Sequence, residues 1–202
     1  MKKMFLDPKK PLHTCNEKSC DDCKLVNKVE CHFNGGQLFR FLLLILPLFL
    51  VGGYVIFKFN LFLLILWIVF MISYFGLIEI RVMCSHCPHY AEPDLKSLKC
   101  WANYGSPKIW KYRPGPMSIL EKIIFITGLV IILISPIVIL LIGHNFMFAI
   151  FYLILLILWK IGLKVFYCSR CINFACPLNA VEIDTKILFV DKNKKDKSTK
   201  RK

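Results

Sequence analysis

The chain has 202 residues, a formal net charge of +14 at pH 7, a hydrophobic fraction of 56% and a mean hydropathy of +0.57. So high a hydrophobic fraction excludes an ordinary soluble domain and places the chain among membrane proteins. The positive charge then favours attraction to anionic lipid, and nucleic acid is not expected as a partner.

Four apolar stretches account for this hydrophobicity: residues 41–57, 61–78, 123–142 and 144–163. A helix of about 20 residues crosses the ~30 Å hydrocarbon core and satisfies its own backbone hydrogen bonds there. Short turns at Asn60 and Asn145 join these stretches in pairs. We therefore predict an all-α membrane protein with four transmembrane helices. The helices form two tandem hairpins, residues 37–79 and 118–165, and the second hairpin begins with a capping box at Ser118.

The N-terminal segment, residues 1–36, is polar and rich in cysteine. Four thiols lie within 17 residues in the spacing C-x4-C-x2-C-x7-C: Cys15, Cys20, Cys23 and Cys31. The opening of this pattern also occurs in plant-type iron–sulfur sites, and a tetrahedral zinc site accepts the same ligands. The alternative is a disordered tail with reduced cysteines, because about 36 residues bury little core.

The central loop, residues 80–117, carries a C-S-x-C pair formed by Cys84 and Cys87, and a third cysteine, Cys100. In its second half, aromatic rings alternate with cations. We predict that six of these residues lie on the membrane surface: Trp101, Tyr104, Lys108, Trp110, Lys111 and Arg113. Trp and Tyr favour the headgroup level, where Lys and Arg meet lipid phosphate. The alternative is a surface that binds a substrate or RNA.

The C-terminal segment, residues 166–202, repeats the C-S-x-C pair at Cys168 and Cys171 and adds Cys176. The first pair begins 24 residues after Asn60 and the second begins 23 residues after Asn145, which indicates a weak internal repeat. After Val190 the chain is a run of charges, which we expect to be disordered and attracted to anionic lipid.

The stretch from Cys168 to Val181 resembles the closing half of a bacterial ferredoxin cluster motif. In that motif a C-x3-C-P run is followed by a small residue and a branched aliphatic residue, here Ala180 and Val181. The present chain has four residues between Cys171 and Cys176, and its preceding cysteine run is one cysteine short. The resemblance favours an iron–sulfur cluster over zinc as the cofactor.

Charge also predicts the orientation of the chain. Lys58 is the one lysine or arginine of 27 that lies in a predicted hairpin turn. The positive-inside rule therefore predicts a multi-pass protein of the cell membrane with both termini and the central loop in the cytosol. All ten cysteines lie on that side. Because the cytosol is reducing, metal binding or thiol chemistry is expected there, and disulfides are not.

The cysteines of the last two segments allow two arrangements. If the hairpins pack as related units, the two C-S-x-C pairs meet in one four-thiolate site, which Cys100 and Cys176 complete or flank. Otherwise each segment forms its own three-thiol site, with a histidine, water or partner as the fourth ligand. In either case the three cysteine-bearing segments form a small cytosolic cap, and the bound metal supplies folding energy that such short segments lack.

The functional hypothesis is a membrane-anchored metal–thiolate protein that serves in electron transfer or as a docking component. Its partners would be the lipid bilayer and a cytosolic or membrane redox protein. Haem is not expected, because the spans lack paired histidines. One alternative is a thiol–disulfide oxidoreductase that uses the C-S-x-C pairs, and another is a soft-metal transporter with cysteines as cytosolic acceptors. No catalytic residue is assigned.

Overall fold

The computed structural model describes residues 6–9, 11–15, 20, 23–92 and 96–199, with side chains described as far as residue 193. Within these residues the α-helices are α1 (Gly35–Phe59), α2 (Leu61–Ser73), α3 (Glu79–Val82), α4 (Ile119–Ile142), α5 (Phe146–Gly162) and α6 (Ile183–Thr199). The described residues contain no strand. Their β-type pairing is limited to two isolated bridges, Glu30 with Cys171 and Ser97 with Pro107. The predicted all-helical class is therefore confirmed.

Four helical runs are long and apolar enough to cross a membrane: Gly35–Phe59, Leu61–His86, Ile119–Ile142 and Phe146–Cys168. They contain 23 to 26 residues each, which exceeds the roughly 20 residues that a span needs. The second and fourth runs extend α2 and α5 through π-helical turns, Tyr74–Ile78 and Leu163–Cys168. The prediction of four membrane-length helices is confirmed.

Side-chain caps explain where these helices begin. The predicted capping box at Ser118 is present: Glu121 N–H donates to Ser118 Oγ at 3.2 Å, and Ser118 N–H donates to Glu121 Oε2 at 2.8 Å. A second capping box pairs Asn34 with Gln37, so α1 begins at Gly35. Asn60 caps α2 by accepting a hydrogen bond from the backbone of the third residue of that helix. Each cap satisfies amide groups that a helix start leaves without a partner.

Where the long helices pack, two apolar clusters of buried side chains fill the interior. They include Ile56, Trp67, Tyr74, Phe125 and Ile132 in the first, and Leu48, Val55, Leu140, Ala149 and Tyr152 in the second. The Tyr74 hydroxyl donates to the Phe125 carbonyl at 2.5 Å, so this polar atom is satisfied in the interior. Gly128 makes room for the Tyr74 ring, because an added Cβ would lie 1.9 Å from it.

The N-terminal and C-terminal segments pack against each other through a third apolar cluster. It joins Leu12, Leu25 and Val29 to Ile172, Val181 and Phe189. Two backbone contacts add to it: Glu30 N–H donates to the Arg170 carbonyl at 2.9 Å, and His13 N–H donates to the Asn193 side chain at 2.9 Å. The N-terminal residues described here therefore have a packed partner that the sequence did not predict.

The expectation of disorder after Val190 is wrong for residues 191–199, which continue α6. Phe189 and Val190 pack into the third apolar cluster and hold this helix against the N-terminal segment. Helical stability of this kind comes from packing of an apolar face, which a count of charges does not reveal. Residues 200–202 lie outside the described part of the chain.

Candidate functional site

In the two C-S-x-C pairs, at the ends of the second and fourth helical runs, the serine makes the same type of hydrogen bond. Ser85 Oγ donates to the Arg81 carbonyl at 2.6 Å, and Ser169 Oγ donates to the Val165 carbonyl at 2.7 Å. In both pairs the serine bonds the backbone four residues earlier, where a helical turn leaves a carbonyl without a helical partner. The two pairs therefore share this hydrogen bond, although Cys84 begins a 3₁₀ turn and Cys168 ends a π-helical turn.

Contacts through Asn103 and the effects of the thiolate charges on one another link six cysteines of the central loop and the C-terminal segment. We call this set the central thiol cluster: Cys84, Cys87, Cys100, Cys168, Cys171 and Cys176. Cys84, Cys87 and Cys168 are buried, with exposed fractions of 4%, 7% and 6%, and the other three are partly buried. All ten cysteines are described and all are free thiols. The six thiols are therefore free and largely shielded from water.

Asn103 and Trp101 connect the cysteines of the two segments. Asn103 donates its backbone N–H to Cys100 Sγ at 3.2 Å and its side-chain amide to Cys84 Sγ at 3.3 Å. The Trp101 side chain lies close to Cys171, which belongs to the C-terminal segment, and acts to lower the pKa of that thiol. Two neighbouring parts of the central loop thus contact thiols from both segments.

Two asparagines hold the C-terminal segment in its turn around the cluster. Asn179 donates its side-chain amide to the carbonyls of Cys171 at 2.6 Å and Asn173 at 3.2 Å. Asn173 in turn donates to the Met83 carbonyl at 3.4 Å, beside the first C-S-x-C pair. Buried amides with such partners specify one arrangement of the backbone.

Burial disfavours the thiolate form of these cysteines. It raises the pKa of Cys87 well above its ordinary value, and the thiolate charges of Cys171, Cys100 and Cys176 raise that pKa further. Burial also raises the pKa of Cys100, to about 12, and the pKa of Cys171. A buried anion without a countercharge is unfavourable, so thiolates would form here only with a cation beside them.

Glu79 lies beside the central thiol cluster and was not among the residues predicted from the sequence. It is buried, with an exposed fraction of 8%, and lies close to the Asn103 side chain. After burial and neighbouring thiolates, its negative charge is a further cause that raises the pKa of Cys176. The signal in the sequence was an acidic residue at the end of an apolar span, where ionisable groups are uncommon.

The N-terminal thiols line a separate cavity of about 190 Å³. All four predicted residues are there: Cys15, Cys20, Cys23 and Cys31. Lys192 of α6 reaches the same cavity and donates to Cys23 Sγ at 3.5 Å and to Cys15 Sγ at 3.9 Å. Burial, and then the charges of the other three thiolates, raise the pKa of Cys31 to about 12, and Lys192 acts in the opposite direction.

The residues predicted to lie on the membrane surface make several contacts within the protein. Trp110 Nε1 donates to the Leu77 carbonyl at 3.2 Å, and Lys108 Nζ donates to the Glu92 carbonyl at 2.6 Å. Lys111 is exposed. The remaining three are partly buried: Trp101, Tyr104 and Arg113. A role at the membrane surface stays a prediction for all six.

Within the described residues, no group of three or more His, Cys, Asp or Glu side chains is arranged to hold a metal ion. Ligation of an iron–sulfur cluster or zinc by these cysteines therefore stays a prediction. No family model, curated protein or solved structure matches this chain. The functional argument rests on the contacts, burial and chemistry described above.

Glu121 fixes the central loop to the start of α4. Its carboxylate accepts a hydrogen bond from Arg113 and lies 3.6 Å from Arg81 Nη1 and 3.4 Å from His86 Nε2. His86 stands inside the first C-S-x-C pair, so this carboxylate connects the pair to a long helix. The same side chain also completes the capping box with Ser118.

We expect Glu121→Ala to lower the free energy of unfolding in detergent micelles by about 1–2 kcal/mol, because a capping contact and ion pairs with partly exposed arginines are lost. Glu121→Gln is the matched control, since glutamine can still complete the capping box but carries no charge. We expect about half the loss for this control. Near-ultraviolet circular dichroism during denaturation measures both, and equal stability of all three proteins would contradict the assigned role.

Proposed function

We propose that this protein is a multi-pass membrane protein that binds a thiophilic metal through cysteines at and beyond the ends of its membrane-length helices. The observation that carries the proposal is the central thiol cluster, in which six free cysteines from two segments come together. The two hairpins hold these segments side by side, and the three cysteine-bearing segments form one cytosolic cap. The N-terminal thiols form a second, separate site.

Several thiolates close together in a buried place need a positive charge beside them. The thiols of the cluster are close enough to raise one another's pKa, and burial has the same effect. A divalent metal or an iron–sulfur cluster would supply the positive charge that stabilises several thiolates in a dry place. Asn103, which donates to Cys84 and Cys100, would then remain as a hydrogen-bond donor to ligand sulfur.

An iron–sulfur cluster is favoured over zinc by the ferredoxin-like spacing around Cys171 and Cys176. Iron would make the protein a membrane-anchored electron carrier with a redox partner protein. Zinc would instead make the cap a docking platform. His89 follows the first C-S-x-C pair and is a candidate nitrogen ligand for the metal. Its Nε2 is buried and has no hydrogen-bond partner among the described residues. A buried nitrogen in this state is expected to have a ligand.

The burial of the thiols argues against the oxidoreductase alternative. Reactive cysteines are partly exposed and have a lowered pKa. Cys84 and Cys87 are buried, and burial raises the pKa of Cys87. The transporter alternative is disfavoured by the apolar interior between the long helices, where Ile132 and Tyr152 are 0% and 1% exposed. A path for a metal ion would need polar or sulfur ligands there.

The first prediction from this proposal concerns metal content. Protein purified without oxygen should absorb visible light and contain iron and acid-labile sulfide, measured by elemental analysis and a sulfide assay. Cys171→Ser should lower the metal content per chain, since it removes a ligand of the central cluster. Cys31→Ser should remove metal from the N-terminal site and leave the central metal in place.

Ser169→Ala is the matched control for Cys171→Ser, because it alters the same C-S-x-C pair without removing a thiol. It should retain the metal content of the unaltered protein. Colourless protein with stoichiometric zinc would contradict electron transfer and leave the docking platform. Metal-free protein that stays folded in the presence of a chelator would contradict metal binding altogether, and the thiol oxidoreductase would take its place.

The second prediction concerns orientation. A thiol reagent that cannot cross membranes should label none of the ten native cysteines in intact cells, because all of them are proposed to face the cytosol. Gly143→Cys places a thiol in the exposed turn between α4 and α5, where the backbone φ of −78° accepts a side chain. This variant should be labelled from outside.

Denaturation of lysed cells provides the control for buried thiols, since every cysteine should then react. Labelling of the partly buried Cys31 or Cys100 in intact cells, with Gly143→Cys unlabelled, would reverse the proposed orientation. The cysteines would then lie in an oxidising compartment, where disulfides form readily.

A further inference from the structure

A cavity of about 320 Å³ lies where the beginning of α1 meets the end of the fourth helical run. Two arginines line it, Arg40 from α1 and Arg170 from the second C-S-x-C pair. Aromatic side chains, among them Trp101 and Tyr167, form part of its wall. Its volume falls within the range of small-molecule sites. None of the cysteines lines this cavity, although Trp101 and Arg170 also adjoin Cys171.

The cavity carries more positive than negative charge. Its lining includes one carboxylate, Glu30, which accepts a hydrogen bond from Gln37 Nε2 at 2.9 Å. Among the described residues, the arginines in ion pairs are Arg81 and Arg113, and both pair with Glu121. Within the same residues, the arginines of the cavity have no carboxylate partner. A guanidinium group is planar and carries several N–H donors, which match the oxygens of a phosphate group. Two such groups in one concave site therefore favour phosphate binding.

The position of the cavity along the helices matches the level of lipid headgroups. Arg40 lies five residues beyond Gly35, about 7.5 Å into α1 at the helical rise of ~1.5 Å per residue. Tyr167 lies in the last turn of the run Phe146–Cys168, close to the same end of the molecule. Arginine at such a depth extends its charged group towards the interface.

A group of three aromatic rings holds this region together. The ring centroids of Phe41 and Trp101 are 4.8 Å apart, those of Trp101 and Tyr167 are 5.0 Å apart, and those of Phe41 and Tyr167 are 5.6 Å apart. The rings join α1, the central loop and the end of the fourth run. Trp and Tyr favour the membrane–water interface, so the cavity has the aromatic surroundings of a headgroup site.

We propose that this cavity binds the headgroup phosphate of an anionic phospholipid, with Arg40 and Arg170 as the phosphate ligands. Basic pockets between spans at the cytosolic side of a membrane protein bind such headgroups. The acyl chains would lie along the apolar outer surface of α1 and the fourth helical run, where Phe39 and Phe166 are 61% and 68% exposed. The proposal needs the membrane spans and does not depend on bound metal.

The test is a count of bound lipid by native mass spectrometry on the full-length protein in a mild detergent. Phosphatidylglycerol and phosphatidylcholine with identical acyl chains are added separately. We expect one phosphatidylglycerol to be retained per chain, with retention at least about tenfold stronger than for phosphatidylcholine, since each basic residue adds attraction for anionic lipid. The double variant Arg40→Gln and Arg170→Gln should lose this preference.

Lys164→Gln is the charge-matched control, because Lys164 is exposed near the same end of the molecule but does not line the cavity. It should keep the preference. Arg170→Gln alone serves if the double variant loses its helical circular dichroism, since Arg170 lies outside the helices. Equal retention of both lipids, or an unchanged preference in the arginine variants, would overturn the proposal.

Inorganic phosphate distinguishes a lipid from a soluble anion. If the site is built for a headgroup, excess inorganic phosphate should leave phosphatidylglycerol bound, because the acyl chains add apolar contact that free phosphate lacks. Complete displacement of the lipid by inorganic phosphate would assign the cavity to a soluble phosphate-bearing ligand and overturn the lipid proposal.

Discussion

Six thiols from two segments of the chain lie buried or partly buried at one end of the long helices, and the surrounding structure is arranged around them. A thiolate in such a place needs a countercharge, so burial raises the pKa of Cys87 and Cys100. The protein supplies hydrogen bonds from Asn103 to the sulfur atoms of Cys84 and Cys100. A bound metal would meet that need and would join the two segments at the same time.

The other contacts hold these segments in place. Glu121 fixes the central loop to α4, and the asparagines at 173 and 179 hold the C-terminal turn. The third apolar cluster then packs the N-terminal thiols against α6, which brings Lys192 to them. Separate short segments become one packed region through these contacts, although none of the segments has enough residues to bury a core alone.

Local signals in the sequence predicted local structure well. The four membrane-length helices followed from hydrophobic length, and the capping box at Ser118 followed from residue types three apart. The C-S-x-C spacing was also visible, and in both copies the serine bonds the backbone carbonyl four residues earlier. Contacts between distant residues could not be predicted in this way. Lys192 becomes a neighbour of the N-terminal thiols only after folding, and α6 depends on packing against a segment far away in the sequence.

X-ray absorption spectroscopy at the edge of the bound metal, on protein purified without oxygen, tests shared thiolate ligation most directly. If cysteines from both segments bind one metal site, the nearest shell should be sulfur at ~2.3 Å, with about four sulfurs per metal. Cys87→Ser and Cys171→Ser should each reduce the sulfur count, because the two residues would ligate the same site. A shell of oxygen and nitrogen, unchanged in both variants, would contradict the proposal.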